Sequence, residues 1–145
     1  MTGANEIITP GELRRITEEK EKERFHQAAE YLKKKEDEER RLRETFMERG
    51  VHPDAKARVS EAIRRAAERG ETEILVVRFA SAWCTDRGRA INNAEATWPK
   101  TLPGFAARAY EFYEKEMRPH GYKLRAEVLE FPGGMPGDVG LFLRW

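Results

Sequence analysis

The chain has one cysteine, Cys84, and so forms no internal disulfide. Its opening residues, MTGANEIITPGELRR, lack an apolar run followed by a small-residue cleavage site, so no secretory leader is expected. Together these point to a reducing, cytoplasmic setting. No stretch approaches the ~18 consecutive apolar residues of a spanning helix, so a soluble chain with no membrane partner is expected. An excess of charge is missing as well. The 145 residues carry a formal net charge of +1. Glu12 to Gly50 holds 12 basic and 12 acidic residues, Val51 to Thr72 holds 5 and 4, and Glu73 to Trp145 holds 10 and 9. That balance weighs against duplex nucleic acid as a partner, because phosphate contacts need a cationic excess that releases counterions. The three histidines, His26, His52 and His120, share no metal-ligand spacing with Cys84, so neither a metal nor another cofactor is expected. PGGMPGDVG, Pro132 to Gly140, is glycine-rich but has no following lysine or helix, and reads as a hairpin loop rather than a phosphate cradle.

Proline and glycine are absent from Glu12 to Arg49, where Glu, Lys, Arg, Leu and Ala dominate. These are strong helix formers, and an unbroken helix there would extend about 57 Å. Its apolar groups are clustered at three- and four-residue spacing: Leu13 and Ile16, then Phe25, Ala28, Ala29 and Leu32, then Leu42, Phe46 and Met47. Between the last two groups lies KKKEDEERR, Lys33 to Arg41, without an apolar side chain. Charge pairs at four-residue spacing, Glu36–Arg40, Asp37–Arg41 and Glu39–Arg43, are expected to support it at ~0.2 to 0.5 kcal/mol each. The domain organisation read from this is a frayed terminus over 1–10, a charged helical arm over 11–50, and a small domain over 51–145.

Within that domain, His52-Pro53 opens a second helix whose alanine-rich stripe ends at Gly70. EILVVRFA, Glu73 to Ala80, reads as a strand covered on both faces. An irregular stretch follows over 81–101, with a short helix around Arg89 to Ala94. Thr101 is expected to cap a third helix that carries an aromatic stripe from Phe105 to Met117. Strands are expected over Tyr122 to Phe131 and Val139 to Trp145. The fold class is therefore α+β: a long N-terminal helical arm, then α-β-α-β-β with a three-stranded mixed sheet packed by helices. The first two strands should pair in parallel through a right-handed crossover, and the third should return antiparallel. Arg78, Lys123, Arg125 and Arg144 should share one sheet face. That face is expected to be covered, since Ile74, Val76 and Phe142 have the same parity and would otherwise be wet.

Cys84 stands just past the first strand, beside Trp83. ILVVRFASAWCTDRG, Ile74 to Gly88, resembles the first active-site strand and loop of thioredoxins, in which a buried strand leads to Trp-Cys at a helix start. The resemblance covers about fifteen residues. It implies a thiol at a strand end, with Met135-Pro136 imitating the proline the family sets opposite. Arg87 occupies the position of the family's second cysteine, and the family's last strand and helix have no counterpart before Trp145. A thiolate at Cys84 would need nearby cations, which Arg87 and Arg89 supply and Asp86 opposes. His120, the best-placed base by sequence, should lie at the opposite end of the sheet.

Three functions follow. The first is a non-enzymatic protein-interaction or oligomerisation module, with another protein or its own copy bound by the arm, coiled-coil fashion, and by the open sheet face. The second is a thiol-dependent or anion-binding enzyme at the 81–101 loop, with Cys84, Asp86, Arg87 and Arg89 as candidates for catalysis. The third is single-stranded nucleic-acid binding across Arg78, Lys123, Arg125 and Arg144. Trp83 and Trp98 complete the candidate binding set.

Overall fold

The computed structural model describes residues 6–145. Residues 1–5 of the terminus expected to fray lie outside that range. The chain divides into two compact units, one up to Leu42 and one from Arg43 to Trp145. The second unit thus starts before Val51, where composition alone sets its edge.

Helix α1 runs from Pro10 to Glu48. A capping box starts it: the Glu12 N–H donates to Thr9 Oγ1 at 3.3 Å and the Thr9 N–H to Glu12 Oε2 at 3.2 Å. Pro10 occupies the first turn, where no partner for an N–H is needed. None of the 39 residues of α1 is buried. In the KKKEDEERR stretch, Arg40 pairs with Asp37 at 3.3 Å, at three-residue spacing. The expected pairs Glu36–Arg40, Asp37–Arg41 and Glu39–Arg43 do not form. On an exposed helix such pairs are worth too little to hold long side chains in one geometry.

The second unit is α+β, as the sequence pattern implies. Helix α2 (Ala55–Glu68) presents Ile63 and Ala66 to the core. Strand β1 (Glu73–Ala80) follows, then a loop with the short helix α3 (Arg89–Asn92), and helix α4 (Gly104–Phe112). A wide π-type turn, Tyr113–Met117, extends α4, and Gly121 at φ +95° ends it. Strands β2 (Lys123–Val128) and β3 (Asp138–Arg144) close the chain. Thr101 does not cap α4: its hydroxyl donates to the Trp98 carbonyl at 2.7 Å, and Pro103 takes the capping position.

The three strands lie in the order β1-β3-β2, with β3 antiparallel to both neighbours. This corrects the mixed pairing. β1 and β2 point the same way, as a crossover requires, but β3 enters between them, so no parallel ladder forms. Its side chains explain the choice. Val139, Leu141 and Leu143 are at most 3% exposed, and β3, flanked on both sides, is the strand that buries all of its inner-facing residues.

The register shifts between Leu75 and Val77, leaving Val76 as an extra residue on β1. That bulge reassigns faces. Ile74 pairs with Leu143 and Val77 with Leu141, both on the helix-covered face, where Val76 also packs. Leu75 pairs with Phe142 on the other face. The expectation that Ile74 and Val76 lie beside Phe142 assumed unbroken alternation, which the bulge interrupts.

The core is built around β3, α4 and the last turn of α1. Phe46 sits among Phe79, Trp83 and Phe105, with ring centroids 5.7, 5.2 and 5.8 Å away. Close approach there depends on Gly104: a Cβ at that position would lie 2.5 Å from the Met47 Cα. Arg108 Nη1 then ties the end of α1 in place by donating to the Met47 and Arg49 carbonyls at 2.8 and 2.9 Å.

Candidate functional site

The loop after β1 is a closed structural turn. The Cys84 N–H donates to the Ser81 carbonyl at 3.0 Å, and the Thr85 N–H to the Thr101 carbonyl at 3.0 Å. Asp86 accepts from the Gly88 and Ala90 N–H groups at 3.0 and 2.9 Å. Its carboxylate is thereby committed to starting α3, as a short acidic side chain at a helix entrance does. Arg87 holds a left-handed backbone at φ +58°. Arg87 and Arg89 are both exposed, while Cys84 is buried.

Burial, with the Asp86 charge adding to it, pushes the Cys84 thiol up to about 11 against an opposing Gly88 N–H. At neutral pH the group is an uncharged thiol, a poor nucleophile. The Ser81 hydroxyl donates to the Pro136 carbonyl at 2.9 Å, which draws the Met135-Pro136 segment across the end of β1. His120 precedes β2, whose Lys123 lies in register with Arg144 and Glu73. It therefore belongs to the end of the sheet away from Cys84. Trp83 packs on Phe46, and Trp98 meets Tyr110 edge-on at 5.7 Å. Both indoles are half-buried packing groups.

Arg78, Lys123, Arg125 and Arg144 do share the outer sheet face. What spacing did not reveal is how much acid lies among them. Arg78 binds Asp138 at 2.9 Å and reaches Glu130 at 4.0 Å. Arg125 binds Glu73 at 2.8 Å and Glu127 at 2.6 Å, and its guanidinium lies 4.2 Å over the Phe142 ring. The Arg125 hydrogen bond holds the Glu73 carboxyl below its ordinary range, with help from the Arg144 charge. Cross-strand register causes this: Lys123 and Glu73 flank Arg144, and Glu127 and Arg78 flank Gly140.

The centre of this face is apolar. A Cβ on Gly140 would fall 2.8 Å from Leu75, 3.0 Å from Phe142 and 3.1 Å from Leu129. Those three side chains close over the glycine, and Leu75 stays 47% exposed. The face is thus a small apolar island in a ring of mixed charges, of which Arg78 and Arg125 are paired with acids. Leu75 and Leu129 are absent from the sequence-derived site. The bulge hides the first behind the wrong parity, and the second lies beyond the end of β2.

Among the described residues, no group of three or more His, Cys, Asp or Glu is placed to hold a metal ion. No described helix is long and apolar enough to cross a membrane. No protein-family model, curated protein or solved structure matches this chain. What the geometry defines on its own terms is an α+β domain with a buried thiol, an outer sheet face that carries acids among its bases, and an α1 whose segment up to Leu42 has no buried residue.

Proposed function

We propose that this protein is a non-enzymatic, cytoplasmic self-association module, in which the segment of α1 up to Leu42 packs against the same segment of a second copy. One observation carries the reading. Within that segment Leu13, Ile16, Phe25, Tyr31, Leu32 and Leu42 are each 47% to 78% exposed. A helical segment that leaves its large apolar groups this exposed has a free energy of association available to it, about 25 cal/mol for each Å² of apolar surface covered. Phe25, Ala28, Ala29 and Leu32 recur at three- and four-residue spacing, as a seam between helices requires. The 12 basic and 12 acidic residues of Glu12 to Gly50 leave two copies free of net repulsion.

Sedimentation of the full chain at tens of micromolar (about 50 µM, where a micromolar complex is well populated) tests this. A dimer that becomes a monomer in the double variant Phe25→Glu and Leu32→Glu, with the circular dichroism of the domain unchanged, supports the reading. A wild-type monomer at that concentration overturns it. The outer sheet face offers a second contact, centred on Leu75 and Phe142. Leu75→Lys would leave α1-driven dimers intact and abolish only higher assembly.

A further inference from the structure

The second unit contains a cavity of about 270 Å³ between α2, α4 and the inner sheet face. Its walls are apolar: Val59 from α2, Phe112 and Met117 from α4 and the turn after it, and Leu143 from the sheet. Two backbone irregularities meet in it. Val76, the extra residue of the β1 bulge, lines one side, and Tyr113 and Met117, the ends of the π-type turn, line another. Bulges and π-type turns recur beside binding sites because they re-aim side chains that regular structure would place elsewhere.

The polar side chains of the cavity include no acid. They are Arg49, His52, Arg58 and Tyr113. The Tyr113 hydroxyl is committed to the Tyr122 carbonyl at 2.8 Å. Cations nearby are neutralised, Lys56 by Glu116 at 2.9 Å and Arg118 by Glu114 at 2.8 Å. Arg49 and Arg58, exposed at the rim, form no ion pair among the described residues. Arg49 is also fixed in place. Its guanidinium carbon lies 4.3 Å from the centre of the Phe105 ring, a cavity wall, and Arg108 pins its carbonyl at 2.9 Å. A guanidinium stacked on a ring keeps its N–H edge for an in-plane acceptor. The Asp54 N–H donates to His52 Nδ1 at 3.0 Å, which puts the imidazole proton on Nε2 and makes that atom a donor.

From this geometry we infer that the cavity binds a small monocarboxylate with an apolar body, its tail against Val76, Met117 and Leu143 and its carboxylate held between Arg49 and Arg58 with the help of His52. An apolar interior demands an apolar ligand, and unpaired cations at its mouth demand a compact anion. The volume, below the ~300 to 1,000 Å³ of ordinary ligand pockets, limits the body to a medium-length chain or a single ring system.

Decanoate, 4-phenylbutyrate and decanol are the probes, each titrated into the full chain while backbone amide shifts are followed by NMR. The expected result is saturable binding of one or both acids below roughly 1 mM, with shifts confined to Ala55, Val76, Met117 and their neighbours. Which acid binds tighter distinguishes a chain from a ring. Decanol should bind at least about tenfold more weakly than decanoate, the loss of one charge-assisted contact. Arg58→Gln, an exposed position, should weaken decanoate about tenfold and leave decanol unchanged. Ala55→Phe, which narrows the mouth, should weaken both. Three results would overturn the inference: no saturation by either acid, shifts elsewhere on the domain, or equal affinity for decanoate and decanol.

Discussion

The helix up to Leu42 and the unit from Arg43 onward are both close to charge-neutral, yet they are held by different physics. In α1 the order is local: a capping box at Thr9 and Glu12, strong helix formers, and a few pairs at three- and four-residue spacing such as Lys20–Glu23 and His26–Glu30. In the second unit almost every secondary element is fixed by something distant in sequence. The order of the strands, the bulge at Val76 and the seat of Phe46 all depend on partners tens of residues away. Local order tolerates substitution, because each contact is worth a few tenths of a kcal/mol. Tertiary order does not, because a buried side chain is packed on every side.

That contrast can be broken first at Leu141, which has no exposed surface. Leu141→Ala is expected to cost the unit about 2 to 5 kcal/mol in denaturant unfolding. Leu32→Ala, at 58% exposure in α1, should stay within roughly 0.5 kcal/mol under dilute, monomeric conditions. Similar losses from the two would show that Leu32 is as tightly packed as a core residue.

Gly104→Ala comes next. The added methyl meets the Met47 backbone at 2.5 Å, and a φ of +33° already disfavours any side chain. A loss of about 1 to 3 kcal/mol is expected, seen as a lower thermal midpoint. A neutral effect would mean that the end of α1 gives way at no cost.

The thiol sharpens the comparison through pH. Cys84 ionises near 9.0 in its ordinary state and about 11 in the fold. A raised pKa on a group that becomes negative favours the protonated, folded form. Below pH ~9 the thiol is protonated in both states and stability does not change; between ~9 and ~11 only the unfolded chain gives up its proton, so stability falls. The Cys84→Ala variant should lose that part of the slope, measured by urea midpoints from pH 8 to 11. Alkylation of the native thiol at pH 8 should be correspondingly slow.

The smallest effect is expected on the outer sheet face. A double-mutant cycle on Arg125→Ala and Glu73→Ala should return a coupling of no more than about 1 kcal/mol, since both groups remain partly solvated. A much larger value would mean that this face is covered in solution.

The elements themselves were legible because each is written in its own segment. The proline- and glycine-free run marks α1, EILVVRFA coincides with β1, and Gly121 ends the helical segment after α4 as a left-handed residue. Strand pairing was not legible. A crossover sets the direction of β2 relative to β1 but not whether another strand enters between them, and only the burial of Val139, Leu141 and Leu143 from both sides selects β3 for the centre. The outer face was half legible. Period-two alternation aligned Arg125 and Arg144 with Phe142, but Glu73 and Asp138, which bind Arg125 and Arg78, come from strands other than those of the arginines they meet. The cavity left almost no trace. Arg49, His52 and Arg58 read as surface residues around a helix start, and nothing local says that they meet Met117 and Leu143.

By itself the sequence determined where the chain is helical or extended, and that apolar side chains concentrate after Arg43, because propensity, capping and periodicity act over a few residues. Which strand is central, which cations go unpaired and where an apolar hollow is left were decided only when the elements packed. Those outcomes depend on volumes and charges brought together from distant positions, and no window of the sequence contains them.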